Sequence, residues 1–203
     1  LLFYDSPNPA PNPRRVRIFA AEKGIELPSQ EVSIPKREQK SAEFVAKNPR
    51  GQTPILELDD GTVIAESVAI MRYLEALHPE PPLFGTTPTE IAAIEMWCRR
   101  AEMIAMAPVG QVWVHTHPFT AAIPGRNQEW GETNLPRVAD AFRFFDQSLA
   151  DRDFIAGEDY TAADILLLTT VDFATFVGCG MPEDCENLRG WHDRVSARPS
   201  AKA

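Results

Sequence analysis

The sequence predicts a small α/β domain over residues 1–78, a linker over 79–87 and an all-helical domain over 88–203. Three observations lead there. Strand and helix signals alternate as far as Leu77. Pro79, Pro81, Pro82 and Gly85 then break every periodicity. From Pro88 onward the apolar spacing is helical throughout, with no strand signal of comparable quality.

Leu1–Tyr4 reads as a short apolar strand, and residues 5–13 as a proline-rich loop that must stop before a helix. Asn12 suits the cap of that helix and Pro13 its first position, because proline has no N–H to leave unsatisfied. The helix runs from about Arg14 to Lys23, turns Val16, Phe19 and Ala20 to one face, and stops at Gly24. Glu31–Ile34 reads as a second strand and Ser41–Lys47 as a short helix. Ile55–Leu58 and Thr62–Ile64 flank Asp59-Asp60-Gly61, and an Asp-Gly turn between apolar runs is a strong hairpin signal. Glu66-Ser67 opens a helix over Val68 to Leu77. This order, βαβα then a hairpin and a helix, matches a thioredoxin-like domain.

In the second half, helices are expected from Pro88 to about Val114, over Asn134–Ala150, over Ala162–Val177 and over Leu188–Ala197. The third is apolar nearly all round, as a buried core helix would be. Thr161 and Asp164 form a capping box ahead of it, with Asp in the acidic place, just after Phe154-Ile155-Ala156-Gly157.

The chain has 203 residues, 44% hydrophobic and 24% charged, with a net charge of -9. That balance disfavours nucleic acid and anionic membranes, which are recognised by clustered Lys and Arg. Cys98, Cys179 and Cys185 form neither a disulfide framework nor a C-x-x-C pair, so a reducing cytoplasm is expected. No apolar run approaches the ~20 residues of a spanning helix. No signal pattern opens the chain, and Leu1 in place of Met implies a few preceding residues.

The chemistry is concentrated between Asn48 and Ser67. Pro54 cannot donate a ladder bond, which leaves the backbone of Thr53 to pair with an extended ligand. Ser67 at a helix start suits a carboxylate and Glu66 beside it an ammonium. A free amino-acid end carries both charges.

The run Asn48 to Gly61, followed by Ala65-Glu66-Ser67-Val68, resembles the glutathione-binding half of soluble glutathione S-transferases of bacterial type. The two-domain order extends the resemblance over essentially the whole chain. It implies a cis Pro54, with Glu66 and Ser67 holding the γ-glutamyl end of glutathione. Gln52 and Thr53 would contact the cysteinyl and glycyl part, and Gln39 or Lys40 the glycyl carboxylate. Glutathione is then a co-substrate, no separate cofactor or metal is called for, and a cytoplasmic homodimer is implied.

Transfer to an electrophile needs the thiolate. A thiol of pKa ~8.5 is on the order of 3% ionised at pH 7, and lowering it by about two units makes most of it reactive. In the family the stabilising donor is often Ser, Cys or Tyr near the start of the first helix. Here the place of the catalytic Ser or Cys falls on Ala10, which donates nothing from its side chain. Asn12 is the remaining donor and resembles the asparagine of Nu-class and related disulfide-reducing transferases; its other reading is a plain helix cap. Ser6, in the loop, and Tyr4, which suits the core better, are the rival hydroxyls.

The second substrate is expected to meet the sulfur across the domain boundary, against the helix after the linker. Candidates there are Trp97, Arg100, Met103, Met106, Trp113 and His117, with Phe119 on the next loop. The other reading of this stripe is core packing. Arg99 and Arg100 also suit dimer contacts or an anionic substrate. His115 and His117 lack a third metal ligand nearby. Conjugation of small hydrophobic electrophiles is the leading activity. Glutathione-dependent reduction of disulfides or peroxides is the nearest alternative, and a non-enzymatic binding protein the third.

Overall fold

The computed structural model describes residues 1–203 and divides into two compact units, Leu1–Leu83 with Pro199–Ala203, and Phe84–Arg198. The first unit contains a four-stranded sheet in the order β2-β1-β3-β4. Strand β1 is Leu2–Asp5, β2 Ser29–Glu31, β3 Ile55–Glu57 and β4 Val63–Ala65. β1 pairs parallel with β2 and antiparallel with β3, and β3 pairs antiparallel with β4. Helix α1 is Pro11–Glu22, α2 Ala42–Lys47 and α3 Ser67–Leu77.

Two sequence expectations shift here. Helix α1 begins at Pro11, so the residue at its cap is Ala10, without a side-chain bond, and Asn12 lies inside the first turn rather than capping it. Pro11 suits the first position as well as Pro13 does, since the first four N–H groups of a helix have no partner in it. The second strand lies at Ser29–Glu31 instead of Glu31–Ile34. Pairing with β1, Phe3 opposite Ser29 and Asp5 opposite Glu31, selects this exposed edge segment, while Val32 goes to the core and Ile34 stays 41% exposed.

The hairpin forms where its turn chemistry places it. Gly61 donates to Leu58 and Leu58 to Thr62, with Gly61 at φ 84°, a conformation that costs glycine nothing. Tyr4, Val32, Phe44 and Ile55 form a buried cluster under the sheet. The Lys23 side chain is fully buried at the end of α1, 2.6 Å from Glu75, and donates to the carbonyls of His78 and Pro81. It thereby ties the chain leaving α3 back to α1. At the far end of the sequence, Ala201 O accepts from Arg14, and Ser200 donates to Glu22.

The second unit is helical: α4 Pro88–Arg100, α5 Ala107–Thr116, α6 Gln128–Glu132, α7 Leu135–Ser148, α8 Ala162–Val177 and α9 Glu186–Ser196. The single helix expected from Pro88 to Val114 is split by a π-helical stretch, Ala101–Met106, where Ala107 N–H reaches back to Glu102 O. Pro108 accounts for it: its ring collides with the carbonyl four residues back and has no N–H to give, so the helix widens ahead of it. α6 has no counterpart in the sequence reading, being only five residues long. α8 matches its expected bounds and is the core of the unit, buried from Ala162 through Val171. Gly178 at φ 87° closes it, with Cys179 N–H bonded to Ala174 O. No helix is long and apolar enough to cross a membrane.

Candidate active site

The strand register assembles the site. Tyr4 stands opposite Ile55, and Ile55 opposite Ala65, in two antiparallel pairs that share β3. Within two residues of these pairs, the end of β1 reaches Ser6, the start of β3 reaches Thr53-Pro54, and the end of β4 reaches Glu66-Ser67. Three separate sequence segments thus meet at one end of the strands, where α3 also begins. The Thr53–Pro54 peptide is cis.

Glu66 is exposed and adopts φ 72°, ψ 122°, outside the ordinary wells for a residue with a Cβ. Such conformations persist where the surroundings impose them and cluster at ligand sites. Ser67 follows as the first residue of α3 and is 5% exposed. Behind it lies Arg15, itself 2% exposed, with Nη1 3.4 Å from Ser67 Oγ.

The loop ahead of Thr53 is held by Asn48, which the sequence reading placed at the head of the motif without a role for its side chain. Its Nδ2 donates to Gln52 O at 2.7 Å, its Oδ1 accepts from Arg50 N, and its carbonyl accepts from Gly51 N at 2.7 Å. Its 6% exposure, unusual for an amide, follows from those bonds. Its place in an Asn-Pro-x-Gly turn was the available signal. Lys40 Nζ donates to Arg50 O at 3.0 Å, and Arg50 Nε to Gln52 Oε1 at 3.1 Å, so Lys40 and Gln52 lie in one polar group. Gln39 Oε1 is buried and has no hydrogen-bond partner in the chain.

The candidate thiolate donors are placed differently from one another. Asn12 is exposed in the first turn of α1. Ser6, expected in an open loop, is fully buried; its hydroxyl lies 2.8 Å from Val32 O and 2.8 Å from Thr53 Oγ1. Its role in the structure is to fix Thr53. Tyr4 donates to Glu57 Oε2 at 2.7 Å, and that bond together with burial pushes its phenol further up, away from use as an acid. The protein's own thiols are all buried; burial drives Cys179 to about 11 and raises Cys185. None of the three is an exposed, low-pKa thiol of the kind that acts as a nucleophile.

In the helical unit, Trp113, His117, Phe119, Phe173 and Phe176 form a continuous ring cluster. Trp113 and His117 centroids are 4.5 Å apart, and Phe119 is 73% exposed at its edge. Phe173 and Phe176 were not singled out in the sequence, because α8 is apolar on every side; their spacing of three was the only cue. Trp97 proves to be core, 6% exposed against Phe144 and Phe145, with the Arg100 guanidinium 4.5 Å over its ring. Met103 is 70% exposed on the π-helical stretch, with Met106 three residues on. His115 and His117 each accept a backbone N–H through Nδ1, from Asn127 and Phe119.

Residues 10–77 match the family model for the glutathione S-transferase N-terminal domain, and residues 106–199 that for the C-terminal domain. Glutathione S-transferase 2 of Saccharomyces cerevisiae is 40% identical over 206 residues, covering 100% of this chain and 88% of the yeast protein. The chain belongs to the glutathione S-transferase family. The crystal structure of Gtt2 from S. cerevisiae superposes with a TM-score of 0.94 at 39% identity, covering 100% of this chain and 99% of that one. A Gtt2-class glutathione S-transferase of Vibrio parahaemolyticus superposes at 0.84 with 31% identity, covering 100% and 96%. The thioredoxin-like and all-helical arrangement is thus the transferase fold, and the chain is an enzyme of glutathione transfer.

Proposed function

We propose that glutathione lies at the strand ends where Ser6, Thr53 and Ser67 converge, and that its thiol is activated there for transfer to a small hydrophobic electrophile. The observation that carries this is the pairing of β3 with β4, which brings Thr53-Pro54 level with the positive-φ Glu66 and with Ser67. Ser67 Oγ and the first N–H groups of α3 receive the γ-glutamyl carboxylate, and Glu66 its ammonium. The Thr53 backbone pairs with the cysteinyl residue. Gln39, with its unpartnered buried oxygen, joins Gln52 and Lys40 at the glycyl end.

Asn12 is the proposed thiolate donor. It is the exposed side-chain donor nearest the start of α1, where the helix's positive end adds to the effect, and Ala10 offers only its backbone. This asparagine is the one feature that favours kinship with the disulfide-reducing classes and, with it, a reductase activity alongside conjugation. The electrophile is assigned to the ring cluster of Trp113, His117 and Phe119, with Met103, Met106 and Arg100 further along the same helical path; Trp97 supports them from the core. The exposed Met96 and Ile104 support a homodimer, and three free, buried cysteines suit the cytoplasm.

The test is an ultraviolet titration of bound glutathione against pH, with Asn12→Ala alongside. A thiolate pKa depressed by about one unit or more, and restored by the substitution, supports the reading. Binding with a free-thiol pKa in the unmodified enzyme overturns it. A depressed pKa that Asn12→Ala leaves unchanged moves the role to the backbone N–H groups.

A further inference from the structure

The ring cluster of the helical unit is held in place by hydrogen bonds that converge on His117, where α5 ends. Thr120, 3% exposed, turns its hydroxyl to the carbonyls of Trp113 and His117, at 3.0 and 2.6 Å. Arg126 Nη2 donates to the same His117 carbonyl at 3.2 Å. Phe119 N–H donates to His117 Nδ1, also at 3.2 Å. His117 is thus fixed through both its backbone and its ring.

The bond to Nδ1 sets the tautomer. A neutral imidazole has one N–H and one bare nitrogen, so a ring that accepts through Nδ1 has its proton on Nε2. Nε2 has no partner in the chain. The His117 ring stands 4.5 Å from that of Trp113, 5.1 Å from Phe176 and 5.6 Å from Phe119, centroid to centroid, and lies within 2° of parallel to Phe119. Phe119 is 73% exposed and Phe176 36%, so the surface is open to a ligand. Rings with an unpaired N–H among them suit a flat aromatic ligand that has an acceptor atom. A donor fixed in advance acts most strongly where negative charge grows on an oxygen during the reaction.

We propose that the electrophiles are aryl-conjugated enones and enals, and that His117 is the catalytic donor to their carbonyl oxygen. This rests on the placement of the electrophile at the ring cluster proposed above. A lone pair of the thiolate sulfur forms the S–C bond at the β-carbon. The C=C pair moves between the α-carbon and the carbonyl carbon, and the C=O pair moves onto oxygen, which Nε2–H stabilises. Water then gives the α-carbon a proton, replacing the one that the thiol released, and the carbonyl re-forms. Displacement of an alkyl halide puts no charge on an oxygen and makes no use of this donor.

The experiment measures kcat/KM for benzylideneacetone and for benzyl chloride, which share a phenyl ring. The proteins are the unmodified enzyme, His117→Phe, His117→Gln, Trp113→Phe and Phe119→Ala. His117→Phe keeps a flat ring and removes the donor, and its ratio of enone to halide activity is expected to fall about tenfold or more. His117→Gln, which restores an N–H, is expected to recover most of that ratio. Loss of the bond to Phe119 alone would lower both activities together, so an unchanged ratio in His117→Phe overturns the proposal. A ratio that falls in Trp113→Phe and not in His117→Phe gives the role to the indole N–H and overturns it too.

If His117→Phe does not fold, the unmodified enzyme decides. Its acceleration over the uncatalysed thiolate reaction is expected to be larger for the enone than for the halide, and an equal or smaller one overturns the proposal. If none of the substitutions, Phe119→Ala included, alters either activity, the electrophile does not lie at this cluster. That removes the placement itself, a different failure from the loss of His117's part in it.

Discussion

Asp164 and Trp191 are joined across 27 positions of sequence by a fully buried hydrogen bond, the indole Nε1 donating to Oδ1 at 2.9 Å. The same oxygen accepts Ile155 N at 2.9 Å, and Oδ2 accepts Thr161 N at 2.9 Å with the Thr161 hydroxyl at 3.1 Å. One carboxylate thus caps α8, fixes the loop before it and anchors α9.

Asp164→Ala leaves two buried backbone N–H groups and an indole N–H without acceptors. The expected loss is about 3 kcal/mol or more of stability, since each orphaned buried donor costs roughly 1–3 kcal/mol. Urea unfolding followed by tryptophan fluorescence measures it. A midpoint unchanged from the unmodified protein would contradict the network.

Ser67→Ala is expected to raise KM for glutathione about tenfold with little change in kcat, because a hydrogen bond to a charged group is worth roughly 1.5–3 kcal/mol and the contact is distant from the sulfur. Steady-state kinetics with saturating electrophile separates the two constants. A fall in kcat with KM unchanged would place Ser67 at the chemistry instead.

Ser6→Ala and Asn12→Ala should separate stability from catalysis. Ser6 is buried between Val32 O and Thr53 Oγ1, so its loss is expected to cost about 1–2 kcal/mol of stability and to leave the thiolate pKa unaltered. Asn12 is exposed, so its loss is expected to spare stability and lower turnover. Thermal melts and turnover of the two variants, taken together, check the assignment.

Lys47 lies 2.7 Å from both carboxylate oxygens of Glu57, and Tyr4 donates to one of them. The Lys47 bond first, and the Tyr4 bond second, hold the Glu57 carboxyl below its ordinary value. A depressed carboxylate contributes stability above its unfolded pKa and loses it as pH falls through the folded one. Melting of Glu57→Gln beside the unmodified protein should therefore show a deficit at neutral pH that closes below about pH 4. A deficit independent of pH would mean that charge is not the cause.

Gly51 has φ 55°, and a Cβ there would stand 2.7 Å from Gln39 O. Gly51→Ala is expected to cost about 1–3 kcal/mol through strain and to push the Gln39-Lys40 segment away from the loop, raising KM for glutathione. Kinetics and denaturation on one preparation test both effects.

Much of the fold was legible because it is written in local chemistry. The Asp-Gly hairpin and the capping box of α8 are each decided by a few adjacent residues; Ser41, read as the first residue of α2, proves to be its cap. The turn and the helix start between Asn48 and Ser67, on which the proposed glutathione site is built, are decided locally as well. The start of α1 was misplaced because Pro11 and Pro13 satisfy the same rule, and the break before Ala107 was missed because a proline can end a helix or widen it.

What the sequence determined by itself was the succession of elements and the thioredoxin-like and all-helical two-part organisation. Tertiary structure alone decided which side chains those segments meet. Ser6 became a buried partner of Thr53, Trp97 a core residue, Phe176 part of an exposed ring cluster and Arg15 the neighbour of Ser67. The physical reason is that turns, caps and periodicity depend on neighbours along the chain, whereas burial and hydrogen-bond partnership depend on strand register and helix packing. Those bring together residues 47 and 52 positions apart, and no local rule specifies them.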